Sequence, residues 1–340
     1  MAVDARRSLA PLAGAIRPHP HRGDLIAAAV VPLTVAVVMV NVRMNGTWGR
    51  GIHLVLTALA CALVLAMGLL SKIEESQPRA YQTVLYLAGL TLLAVALYRL
   101  AQVLGAGRPL SAAGTVTWVA TLFAAVAAFP AWRRGSAVCA LAEVIAGGLA
   151  LEALVDWVFD PHGPSTARYV LLLLIAIYAV AHLQLRERRP RHAVQLVNAA
   201  GVAVIALALT FLLTAFVFAA AGSSQAPGGP GVGWELVLVA CGLGLIAYAC
   251  VDRQPGPGYL GFVVLLLFVL LAGRPGPDRA SLVGWPLLLL LLGGAGVAAG
   301  LRPLRPLPPE PRSGPDAPAV PVAPPEPPTQ KLDGSPGGSG

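Results

Sequence analysis

Three carboxylates, Glu143, Glu152 and Asp156, stand inside a single apolar stretch of this chain. A charge at that depth in hydrocarbon costs a few kcal/mol on insertion scales and more in simulation. Such groups face a bundle interior, find a partner or stay protonated. The chemistry open to them is proton or cation coupling across a membrane. The plainer account makes the same helix structural glue, with Asp156 and Asp160 at the interface. At about 100° per residue, Glu152 and Asp156 lie about 40° apart on one face and Glu143 lies on the opposite face. The three acids therefore serve two neighbours at two depths.

Partners follow from depth. Arg99 lies near the end of the third stretch, at the level of Glu152 and Asp156, and is expected to pair with one of them. Glu143 lies at the level of Gln195 and Asn198, whose amides could satisfy it if it is protonated. His53 and His182 fall near stretch ends and read as interfacial. Glu235 beside Trp234 reads as a boundary pair. Thr57, Thr91, Thr117, Thr121, Thr210 and Thr214 can bond their own helix carbonyls. Trp48, Trp118, Trp132, Trp157, Trp234 and Trp285 lie close to boundaries, as an aromatic belt does.

The elements that must position these groups are ten apolar stretches, at 24–42, 51–71, 80–103, 113–132, 136–159, 166–185, 194–221, 233–251, 258–273 and 281–301. About 20 apolar residues cross about 30 Å of hydrocarbon as a helix. The fold class expected is all-α: a polytopic transmembrane helical bundle of about ten spans, covering residues 24–301. The ninth stretch is the shortest, reaching about 24 Å, and crosses if the bilayer thins locally. Gly147-Gly148, Gly242, Gly244 and the run Gly293–Gly300 allow close helix approach. Pro32 and Pro286 can kink their spans.

Composition agrees. The chain is 56% hydrophobic and 12% charged, with a mean hydropathy of +0.73. A soluble domain carries about twice that charged share. The formal net charge of +8 would suggest a nucleic-acid partner in a soluble protein. Here the basic residues sit at stretch ends, where they set orientation. The partner implied is the lipid bilayer, with no nucleic acid. One side carries the larger share: Arg6, Arg7, Arg17 and Arg22, then Lys72 and Arg79, then Arg133 and Arg134. The same side carries Arg186, Arg188, Arg189 and Arg191, then Arg253, Arg302 and Arg305. Arg43, Arg50, Arg99, Arg108, Arg168, Arg274 and Arg279 fall on the other. The richer side is expected to be cytoplasmic, with both termini there, in the cell (inner) membrane. Residues 1–23 form an N-terminal cytoplasmic segment, retained rather than cleaved. Residues 302–340 form a Pro-rich cytoplasmic tail, expected to be disordered.

Cys61, Cys139, Cys241 and Cys250 all lie in apolar stretches and read as small buried hydrophobes. No Cys/His cluster, nucleophilic triad, P-loop or dinucleotide fingerprint appears in the sequence. No catalytic residue, metal or cofactor is expected.

The halves 24–159 and 166–301 are equal in length, and five spans followed by five would form an inverted repeat. In span count and orientation the chain resembles ten-span drug/metabolite-type transporters. A closer likeness lies in three segments: Pro78-Arg-Ala-Tyr-Gln-Thr-Val-Leu, Val155-Asp-Trp-Val-Phe-Asp-Pro and Arg191-His-Ala-Val-Gln-Leu-Val-Asn-Ala-Ala-Gly. On these the chain resembles uncharacterised polytopic membrane proteins of high-GC bacteria. That resemblance implies a multi-span protein of the bacterial cytoplasmic membrane, without assigned chemistry.

Three functions compete. A small-solute transporter would use the fifth-span carboxylates and need a polar cavity reaching Glu143 or Glu152. A non-catalytic scaffold or accessory subunit would be tightly packed and bind a protein partner. A membrane-embedded enzyme acting on lipid-linked substrates would gather acids, His or Arg at one face. The first is favoured, with Glu143, Glu152, Asp156, Arg99 and Asn198 as its candidate polar groups.

Overall fold

The computed structural model describes residues 23–71, 79–161, 163–220 and 230–272, with Trp285, Leu287, Leu291, Gly293 and Gly294. The chain divides into two units, Met1–Arg279 and Ala280–Gly340. In the second, the five described positions are helical. The tenth stretch therefore lies largely outside the described residues. Pro286, the rest of the Gly293–Gly300 run, the Pro-rich tail and most of the N-terminal segment lie outside them too.

Among the described residues of the first unit, every regular element is an α-helix. In chain order they are α1 Gly23–Arg43, α2 Arg50–Leu70, α3 Ala80–Val103, α4 Ala113–Arg134, α5 Ala137–Phe159, α6 Ser165–Leu185, α7 Pro190–Ala220, α8 Val232–Asp252 and α9 Pro255–Ala272. All nine are long and apolar enough to cross a membrane. Their sides carry large exposed apolar residues, such as Val31, Val35 and Met39 on α1 and Phe262, Leu266 and Val269 on α9. Water does not tolerate so much exposed hydrocarbon, whereas lipid does. The protein is a multi-pass membrane protein.

Neighbours in sequence pack as helical hairpins: α2 with α3, α4 with α5, α6 with α7, and α8 with α9. The turns between them are short and chemically specified. Gly135 takes a left-handed conformation (φ 64°) to end α4, and the Ser136 hydroxyl then accepts from the Cys139 amide to start α5. Asp160 (φ 41°) ends α5 and Arg253 (φ 53°) ends α8 in the same left-handed way. Pro255 opens α9, where its missing N–H costs nothing.

Helix α3 is the core of the N-terminal part. Thirteen of its residues are buried, more than on any neighbour, and α1 and α2 pack on it. Farther along, α7 touches α5, α6, α8 and α9. Close backbone approach depends on particular glycines. A Cβ on Gly261 would meet the carbonyl oxygen of Gly242 at 2.7 Å, so α8 and α9 touch backbone to backbone there. Gly148 lies under the Tyr178 hydroxyl, whereas Gly147 and Gly244 face open space. Pro32 is accommodated within α1, and Pro130 within α4.

Candidate functional site

The three acids of α5 go to two places. Helix α5 is about 35 Å long, and Glu143 lies about 9 Å from its start while Glu152 lies about 10 Å from its end. The two ends of the bundle are the Arg133 face, where α5 begins, and the Asp160 face, where it finishes.

Near the Arg133 face, the two-residue turn after α4 lays the last turn of α4 beside the second turn of α5. Trp132 Nε1 there donates to both Glu143 oxygens, at 3.1 and 3.2 Å. The Arg189 guanidinium stands 4.4 Å over the Trp132 ring, and the His192 ring lies 5.8 Å from it. The indole thus separates an acid at its edge from a cation on its face, each where the ring's electrostatics favour it. Gln195 and Asn198 do not supply the partner. The Asn198 amide donates to Gln195 Oε1 at 3.1 Å, and its own buried oxygen makes no hydrogen bond among the described residues. That oxygen lies against Gly256 at the start of α9, where an added Cβ would meet it at 3.0 Å.

Near the Asp160 face, Glu152 and Asp156 line a cleft of about 310 Å³. Helix α5 supplies the acids, α4 contributes Ala113 and Val116, and α6 contributes Thr166 and Val170. The α3–α4 loop closes one wall with Leu110 and Ser111. Glu152 is half-buried and Asp156 exposed. Each lies within electrostatic reach of the other, and neither makes a hydrogen bond or ion pair among the described residues. The cation nearest in sequence on α6 looks elsewhere. Arg168 stacks 3.7 Å over the Phe211 ring and donates to Thr210 Oγ1 and Thr214 Oγ1 of α7.

Arg99 departs from expectation. It is buried, 6% exposed, and its bonds run to α1 instead of α5. Nε donates to Asn41 Oδ1 at 3.0 Å, and Nη2 to the Asn41 carbonyl at 2.6 Å. Nη1 donates to Asn45 Oδ1 at 2.6 Å and to Gln102 Oε1 at 2.7 Å. Asn41 in turn donates to Thr57 Oγ1 of α2 and to the Val37 carbonyl. One guanidinium thus ties α1, α2 and α3 together without a carboxylate. The physical reason is the fork of five donors, which neutral carbonyl oxygens can fill when they converge.

His53 and His182 are also inside the protein. His53 is 1% exposed, with Nε2 at 3.1 Å from the Met44 carbonyl and Nδ1 without a partner among the described residues. His182 Nδ1 lies 3.0 Å from the Ala193 carbonyl. Thr57, Thr91, Thr117, Thr121, Thr210 and Thr214 each bond a carbonyl of their own helix, and Thr57, Thr210 and Thr214 also accept from Asn41 or Arg168. Glu235 is buried in the first turn of α8, where the helix dipole favours an acid. No group of three or more potential metal-binding side chains comes together among the described residues.

Set against known proteins, no family model matches this chain, and no curated protein or solved structure matches it either. No family is identified, so what stands of the likeness drawn from the three segments is nine membrane-length helices among the described residues.

Proposed function

We propose that this protein is a small-solute permease that takes a cationic solute between Glu152 and Asp156. One observation carries the reading: both carboxylates line the same open cleft and neither has a partner among the described residues. Two acids one helical turn apart repel each other. At the edge of hydrocarbon they persist when something positive joins them, whether a proton, an ion or a solute. Glu143 is not part of this reading, since Trp132 already satisfies it. The arginine distribution supports a cytoplasmic Arg133 face in the cell membrane, so the cleft opens outward.

The test is uptake of tetramethylammonium into liposomes holding the full chain. Saturable uptake is expected, lost in the Glu152→Gln/Asp156→Asn double variant and kept in Glu143→Gln. Uptake that is absent, or indifferent to the double variant, overturns the reading and leaves a scaffold without turnover.

A further inference from the structure

The cleft does not stop at its carboxylates. A second hollow of about 400 Å³ adjoins it, and Leu110, Val116 and Leu149 line both. The remaining walls include Ala94 of α3, Phe123 of α4, and Ala142 and Ile145 of α5. Apart from Tyr98 these walls carry no polar side chain.

Direction matters as much as lining. From Val116 to Phe123 on α4, and from Leu149 to Ala142 on α5, the second hollow runs about 10 Å away from the Asp160 face. The acids sit at the mouth and the apolar walls lie deeper. That is the order of head and tail in an amphiphile standing in one leaflet. Ala94, Ile145 and Leu149 are exposed, so the groove is open along the side of the bundle. A ligand can enter from lipid without crossing water.

We infer that the site takes an amphiphilic cation, with an ammonium head between Glu152 and Asp156 and an alkyl or aryl body in the groove between α3, α4 and α5. The inference rests on the reading of the two acids as a cation site, and it adds the substrate class. Charge complementarity selects the head. The apolar walls select the body, because a hydrophilic cation would leave them without contact.

The experiment uses the full chain in nanodiscs of phosphatidylglycerol, a lipid that carries no ammonium group. Binding of decyltrimethylammonium, tetramethylammonium and decyl sulfate is measured by calorimetry, with empty nanodiscs subtracted. Decyltrimethylammonium should bind at least about tenfold more tightly than tetramethylammonium, the gain from burying two or more methylenes. Decyl sulfate should not bind. Ala94→Phe and Ile145→Trp each place an aromatic ring in the groove from an exposed position. Each should lower the decyl-to-methyl affinity ratio while leaving tetramethylammonium binding unchanged. The Glu152→Gln/Asp156→Asn variant should lose both cations.

Two groove variants guard against one that fails to fold, and elution as a single species identifies the folded ones. An unchanged affinity ratio in a folded groove variant overturns the amphiphile and leaves the cation site standing. So does equal binding of decyl sulfate. Decyltrimethylammonium binding that ignores the two acids overturns the inference as partition into lipid. Failure of every probe to show acid-dependent binding removes the cation site as well.

Discussion

Arg99 and the Glu152–Asp156 pair lie at the same face of the bundle, and the chain treats the two charges in opposite ways. Tyr98, the residue before Arg99, lines the groove that continues from the acids, so the two regions are neighbours. The guanidinium is buried and meets four oxygens from Asn41, Asn45 and Gln102. The carboxylates stand in an open cleft and meet no donor among the described residues. A charge that only holds helices together is answered by groups of the protein itself, since an unanswered one costs more than the fold can spare. A charge left open beside a cavity is a place for something that comes and goes. The contrast gives the Arg99 clamp a structural role, and it leaves the proposed binding role to the α4–α6 cleft and its groove against α3.

The largest effect should come from the Arg99 clamp. Arg99→Ala strands the amide oxygens of Asn41, Asn45 and Gln102 and removes a link across three helices. The expected loss is about 3 kcal/mol, read as a lower melting temperature and poorer yield in detergent. Arg99→Lys keeps the charge but not the planar fork, so it should recover only part of that loss. Cation binding at Glu152 and Asp156 should persist in whatever fraction folds. Wild-type stability in Arg99→Ala, or a folded variant that has lost cation binding, would break the division between the two regions.

The sequence carried the helices well because hydrocarbon imposes a length on them. Its errors in extent are local. Helix α7 begins at Pro190, ahead of the apolar stretch, because the helix runs on through Arg191 and His192, which hydropathy does not register. Helix α9 begins at Pro255 for a backbone reason rather than an apolar one. The partner expected for Arg99, an acid of α5, gives way to Asn41, Asn45 and Gln102. Opposite charge is the obvious complement of a guanidinium, yet the signal is a pair of amides, Asn41 in the last turn of α1 and Asn45 in the turn just after it. Glu143 could have been traced to Trp132 from the shortness of the Gly135–Ser136 turn. The cleft and its groove had no signature in any single stretch. They arise where four helices, α3 to α6, and the loop before Ala113 fail to fill space, and packing rather than pattern decides that.

A smaller effect should separate the two ends of α5. Glu143→Ala leaves Trp132 Nε1 without its acceptor and should cost at most about 1 kcal/mol, because the pair is partly exposed. Glu143→Gln keeps an acceptor oxygen and should be close to neutral. Thermal melts of the two variants in detergent give the comparison. A large loss in the Gln variant would mean that the Glu143 charge itself carries the contact, through Arg189 across the indole.

The smallest effect, and the most telling in sign, belongs to the acid pair. If Glu152 and Asp156 were structural glue, Glu152→Gln/Asp156→Asn would lower stability as the Arg99 variant does. If they form a site held open for a cation, removing their mutual repulsion should leave stability unchanged or raise it by up to about 0.5 kcal/mol. Added salt provides an independent reading. It screens like charges on an open surface, so wild-type protein should gain stability from salt and the double variant should not. Thermal melts in low and high salt test both statements. A double variant that melts clearly below wild type in both would show that the open acids brace the α4–α5–α6 packing, and the contrast with Arg99 would collapse.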